Sequence, residues 1–94
     1  MRRHSVDANQ ADIVSALRRV GAHVCDLSAA GKGIPDLIVY FRGELRFLEL
    51  KDGSKPPSAR KLTPAQKAFH AVFPVTVVTS PYEALRAIGI EIAK

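Results

Sequence analysis

An acid at Asp36, an acid at Glu49 and an amine at Lys51 fall within one candidate β-hairpin. Asp36–Phe41 reads as a strand, Arg42-Gly43 as a tight turn and Glu44–Lys51 as the return strand. A two-residue loop opposes Phe41 to Glu44 and, counted back, Asp36 to Glu49. Opposed side chains project from one face with Cβ atoms roughly 4.5–5.5 Å apart. Lys51 lies two residues past Glu49 and shares that face. Two carboxylates and an ammonium then converge at the end of an otherwise apolar hairpin. Opposed like charges destabilise a strand pair, and a buried carboxylate without a partner is costly. A cation or a proton must resolve the conflict. Mg²⁺ suits the first solution, because it takes oxygen ligands and keeps several waters. Asp36, Glu49 and the backbone carbonyl of Leu50 would supply such oxygens. A metal there could lower the pKa of a water and polarise a phosphoryl oxygen. Lys51 could orient that water or offset developing negative charge. The alternative on the same residues is a plain salt bridge at a fraying strand end, with Asp36 as a Pro-Asp turn signal.

Several elements must hold this hairpin. Asp7–Val20 reads as a helix whose apolar stripe is Ile13, Val14, Leu17 and Val20. Gln10 falls inside that stripe, Asp7 at its edge and Asp12 opposite. Ala22–Leu27 reads as a strand and Ser28–Pro35 as a loop. Ile38, Tyr40, Leu45 and Phe47 share the hairpin face of Asp36 and Glu49, while Leu37, Val39, Phe41, Leu48 and Leu50 take the other. Strands apolar on both faces belong inside a sheet covered by helices. Thr63-Pro64-Ala65-Gln66 is a capping box with Pro at the first helical position, opening a helix to Phe73. Val75–Thr79 is a further strand. Ser80-Pro81-Tyr82-Glu83 reads as a second capping box, opening a helix through Ala87. Ile88, Ile90 and Ile92 alternate as a short edge strand would. The order αβββαβα implies one domain over residues 1–94, a three-layer α/β sandwich around a central mixed sheet.

Composition narrows the partners. The chain has 94 residues, 47% hydrophobic and 24% charged, so it should fold. No run approaches the roughly 18 apolar residues of a membrane span. Met1-Arg-Arg-His-Ser has no apolar signal segment behind it, so a cytoplasmic location is expected. The lone cysteine, Cys25, reads as a small buried apolar residue. No cysteine or histidine spacing supports zinc. A net charge of +5 suits a polyanion. The charge gathers at Lys55, Arg60, Lys61 and Lys67, in the Asp52–Leu62 loop and the helix start after it. With Lys32, these are the candidate nucleic-acid contacts; solubility alone is the competing account. Gly31-Lys32-Gly33 lacks the P-loop pattern and would instead let backbone pass close to a scissile phosphate.

Gly33-Ile-Pro35-Asp36, then Glu49-Leu-Lys51, then Gln66 followed by His70, resembles the VRR-NUC branch of the PD-(D/E)XK nuclease superfamily. The resemblance runs from Asp7 through Leu85. It implies a restriction-endonuclease-like αβββαβ core, Mg²⁺ or Mn²⁺ as cofactor, and phosphodiester hydrolysis of DNA. It implies Asp36 and Glu49 as metal ligands, Lys51 as the catalytic lysine and Gln66 as an auxiliary residue. It also implies a homodimer acting on Holliday junctions or other branched DNA. One departure stands out: where such nucleases carry a helix glutamate, this chain offers Gln10, with Asp7 the nearest acid. Gln10 could reach the site through water, Asp7 could reach it instead, or the two could form a capping pair. Gln66 is equally accounted for by its capping-box position, and His70 by a structural or solvent-facing role. The departure keeps two rival functions in view: a non-catalytic nucleic-acid-binding module, and a nuclease subunit that needs a partner.

Overall fold

The structure is a computed structural model that describes residues 5–92, with side chains described from residue 8 onward. Helix α1 spans Ser5–Arg19, β1 His23–Asp26, β2 Leu37–Phe41 and β3 Glu44–Leu50. Helix α2 spans Pro64–Val72, β4 Val75–Val78 and α3 Pro81–Ala87. Short 3₁₀ turns occupy Ser28–Ala30 and Pro57–Arg60. The four strands form one mixed sheet in the order β1-β2-β3-β4. β1, β2 and β3 are an antiparallel meander, and β4 runs parallel to β3. A parallel neighbour needs a crossover, and α2 supplies it.

The hairpin forms at the expected register, with Phe41 opposite Glu44 and Leu37 opposite Leu48. Arg42 (φ 51°) and Gly43 (φ 82°) both sit in the left-handed region. Two such residues make the type I′ turn, whose twist matches that of the flanking strands. Leu37, Val39, Phe41, Leu48 and Leu50 pack with Ile13, Leu17, Val78, Ala84 and Ile88 into the core. Helices α1 and α3 therefore cover one face of the sheet. On the other face α2 docks through aromatic rings. Phe47 of β3 meets Phe69 and Phe73 edge-on at 5.6 and 6.1 Å between centroids, and those two rings stack at 4.5 Å. The result is three layers with a mixed sheet between helices. No described helix is long and apolar enough to cross a membrane.

Four expectations give way. Ile88–Ile92 forms no edge strand. Gly89 turns left-handed at φ 97°, Gly89 N–H donates to Arg86 O and Ile90 N–H to Leu85 O. This closes α3 in a Schellman motif, which seats Ile88 in the core and packs Ile90 against it. Helix α1 closes in the same way at Gly21, with Gly21 N–H to Arg18 O and Ala22 N–H to Leu17 O. Val20 is thus outside the helix and partly exposed, not part of its stripe. The second capping box is only half made. Ser80 Oγ accepts from Glu83 N–H, but Glu83 Oε1 turns to Thr79 N–H and Oγ instead of the cap's own amide. Helix α1 also begins at Ser5, so Asp7 is already inside the helix and is no N-cap for Gln10.

The loop before β2 is fitted beneath α2. A Cβ at Gly33 would lie 2.4 Å from the carbonyl oxygen of Ala65 in the first turn of that helix. The glycine serves this backbone-to-backbone contact, at φ 82°. Gly43 has the same φ but open space around it. Gly33→Ala should therefore cost about 3 kcal/mol or more, from steric conflict plus backbone strain. Gly43→Ala should cost about 1 kcal/mol, from strain alone. Urea denaturation of both variants measures the difference, and equal losses would contradict the packing of the loop on α2.

Candidate active site

The acids and the amine meet where β2 begins and β3 ends. Asp36 stands just before β2, so the ladder stops at Leu37–Leu48 and the direct Asp36–Glu49 backbone pairing does not form. Pairing is replaced by a side-chain bridge. Leu50 N–H donates to Asp36 Oδ2 at 2.8 Å, while Asp36 O accepts from Leu27 N–H at 2.7 Å. Asp36 is thereby tied to the neighbouring strand on one side and to the chain after β1 on the other. Pro35, fully buried, anchors the chain entering it.

Glu49 lies opposite Val77 of β4 and is 3% exposed. Its Oε2 accepts from Gln66 Nε2 at 3.0 Å and stands 3.8 Å from Lys51 Nζ. Its Oε1 is buried without a hydrogen-bond partner. Lys51 Nζ donates to Gln66 Oε1 at 3.0 Å. Gln66 thus joins the acid to the amine: its NH₂ faces Glu49 and its carbonyl faces Lys51. The same carbonyl accepts from Thr63 N–H at 2.9 Å, and Gln66 N–H donates to Thr63 Oγ1 at 3.1 Å. The capping box is therefore complete, and capping and site contacts come from one side chain.

Burial pushes the Glu49 carboxyl up to about 7, reinforced by the adjacent Asp36 charge, against the opposing pull of Lys51. The Lys51 ammonium hydrogen-bonds to the Gln66 amide and stands 3.8 Å from the acid, and its pull is outweighed by burial. His70, one turn beyond Gln66, is held below its usual range, first by burial and then by the Lys51 charge. Its Nε2 is buried without a hydrogen-bond partner.

Other candidates fall elsewhere. Gln10 Nε2 donates to Asp26 Oδ2 at 2.9 Å and to Ser28 Oγ at 3.5 Å, and so is not directed at the carboxylate pair. The geometric reason is that Asp26 opposes Leu37, and so lies on the α1 side of the sheet. The side chain of Asp7 lies outside the described residues. Lys32, Lys55, Lys61 and Lys67 are exposed, and Arg60 is half-buried. Cys25 is exposed on the edge strand β1, contrary to the expected burial, because alternation turns it away from the α1 side. Leu50 enters the site through its N–H to Asp36.

One participant was missed. Asn9 Nδ2 donates to Thr79 O at 3.0 Å and to Lys51 O at 3.4 Å. The signal was present in the spacing, since Asn9, Ile13 and Leu17 recur at every fourth residue and share the buried side of α1.

Among the described residues no group of three or more His, Cys, Asp and Glu side chains could hold a metal ion. The pair of acids still fits a hard divalent cation. Mg²⁺ commonly uses one or two carboxylates and leaves its remaining positions to water or phosphate. The orphaned Glu49 Oε1 is an oxygen that such an ion would satisfy.

Without metal, folded Glu49 retains a proton that the unfolded chain releases near its ordinary value of 4.5. The folded state then binds more protons between about 4.5 and 7. Stability should fall as pH rises through that window, by up to about 3 kcal/mol, and level off above it. Chelator-treated protein denatured with urea at about pH 5 and about pH 8 tests this sign. Glu49→Gln should flatten the dependence, and an unchanged slope in that variant would assign it to another group.

Compared with protein-family models, with curated proteins and with solved structures, the chain matches none of them.

Proposed function

We propose that the protein is a Mg²⁺- or Mn²⁺-dependent DNA endonuclease of the VRR-NUC type, built on a restriction-endonuclease-like core. The observation that carries this reading is the buried Glu49 carboxyl beside Asp36, with one oxygen unpartnered and the Lys51 amine 3.8 Å from the other. A surface salt bridge would not bury an acid against a second acid, since isolated like charges repel at high cost. The element order, with two sheet-covering layers, is compatible with such a core.

In this reading Asp36 and Glu49 hold the ion, with the Leu50 carbonyl as a third oxygen. The bound ion supplies Lewis acidity toward a phosphoryl oxygen and makes water more acidic. Lys51 offsets the negative charge that develops on the phosphate oxygens. Gln66 is the auxiliary residue, holding the Lys51 amine by a hydrogen bond. Gln10 takes no direct part. Lys32, Lys55, Arg60, Lys61 and Lys67 contact the flanking backbone. Contacts of this kind carry shape and register but little sequence information, so branched DNA such as a four-way junction is the favoured substrate. A homodimer would present two such sites related by a twofold axis. The exposed apolar side chains of Tyr40, Leu45, Val72 and Phe73 lend it support. The cytoplasm is the expected compartment.

One observation favours a second reading. Gln10 is bonded to Asp26 and Asn9 to backbone carbonyls, so the described side chains from α1 bring no acid to the pair. That would suit a binding module without catalysis.

Incubation of the protein with a synthetic four-way junction and Mn²⁺ separates the two. Cleavage that falls about 100-fold or more in Lys51→Ala supports the nuclease. Junction binding with no metal-dependent cleavage supports the binding module, unless an added partner subunit restores cutting. Asp36→Asn should weaken Mn²⁺ binding at least about tenfold, as expected when a ligand oxygen loses its charge. It should leave junction affinity equal or improved. Isothermal titration giving equal Mn²⁺ affinities for variant and parent would remove Asp36 from the metal site.

A further inference from the structure

We propose that Asn9 is the positioning residue that fixes Lys51, an inference that rests on the nuclease reading for its catalytic consequence. Lysine reaches its target through four rotatable side-chain bonds, so the placement of its amine depends on where its Cα is held. The structure holds residue 51 from three directions. Lys51 N–H donates to Val78 O at 3.0 Å, which continues the β3–β4 pairing one residue past the strands. Lys51 Nζ donates to Gln66 Oε1 at 3.0 Å. The third hold is Asn9, whose Nδ2 reaches Lys51 O and Thr79 O, at the ends of both parallel strands.

The chemistry of the amide suits this place. An Asn NH₂ carries two hydrogens and can serve two carbonyls at once. β3 ends at Leu50 and β4 at Val78, so Lys51 O and Thr79 O lie just past the ends of the ladder. Asn9 is half-buried. It is separated by 42 residues from Lys51 and by 70 from Thr79, so the clamp ties α1 to the end of the sheet that carries the site. A helix acid at this position could not do the same, because a carboxylate would face two carbonyl oxygens with no hydrogen to offer.

Asn9→Ala removes the clamp, and Asn9→Asp keeps its shape while removing the donor. The test compares both with the parent and with Gln10→Ala, an α1 change bonded to Asp26 and not to Lys51. The first readout is amide hydrogen exchange at Lys51 together with the NMR line of its ¹³C-methylated amine. Both Asn9 variants should expose the Lys51 amide and shift the amine signal; Gln10→Ala should do neither. The second readout is Mn²⁺-dependent junction cleavage. Both Asn9 variants should lower kcat by about 10- to 100-fold, with KM and Mn²⁺ affinity unchanged. Loss of thermal stability without a change at Lys51 would mean that Asn9 is merely structural, and would overturn the proposal. So would an unchanged kcat in variants of an active parent. If the parent cuts no DNA, the nuclease reading falls, and the Lys51 signals alone decide whether Asn9 fixes that residue.

Discussion

The structure turns on one unfavourable juxtaposition: an almost fully buried glutamate lying beside an aspartate. Glu49 has lost nearly all contact with water, and Asp36 adds negative charge next to it. The Gln66 amide and the Lys51 amine compensate in part, but Glu49 Oε1 still has no hydrogen-bond partner. Folding alone would favour an apolar residue at such a position, since removing a carboxylate from water is costly. The surrounding core supplies what makes the arrangement tolerable. Leu48 and Leu50, on either side of Glu49, are buried against α1 and α3. Alternation along the strand then directs Glu49 to the opposite face, under α2.

Helix α2 has two tasks that meet in a single side chain. Phe69 in the helix and Phe73 just past its end grip Phe47 and set the helix on the sheet. Its first turn then places Gln66 over Glu49 and Lys51 while the same amide completes the capping box. The loop at Gly33 closes against that first turn at near-contact distance. The rings, the cap and the loop therefore all act on the placement of Gln66. A capping residue is ordinarily free to exchange with solvent. Here its oxygen accepts from both a backbone N–H and an ammonium.

Much of this was legible in the chain because local rules governed it. The Arg42-Gly43 turn fixed the hairpin register through backbone conformation, and the register carried Asp36 toward Glu49. Thr63 to Gln66 announced the start of α2 through hydrogen bonds within four residues. The failures arose where distant partners decided the outcome. Alternating Ile88, Ile90 and Ile92 mimicked a strand, but Gly89 and the carbonyls of α3 offered a better closure. Glu83 left its expected cap for Thr79. Gln10 falls on the stripe of α1 that suggests a place in the site, but Asp26 and Ser28 engage it from the next element. Asn9 escaped notice because its acceptors lie far along the chain and are backbone atoms, which carry no residue-type signature.

The sheet order has a kinetic consequence. β1, β2 and β3 pair with their chain neighbours, β2 and β3 across a two-residue turn, so the meander gains contacts at little entropic cost. β4 and α2 must return from beyond the Asp52–Leu62 excursion to join it, and such non-local pairing is the slower kind. The carboxylates ride on the early part, whereas Gln66 and the β4 carbonyl that receives Lys51 belong to the late part. A chain still emerging from the ribosome therefore carries its acids before it carries Gln66 and the β4 carbonyl that hold Lys51.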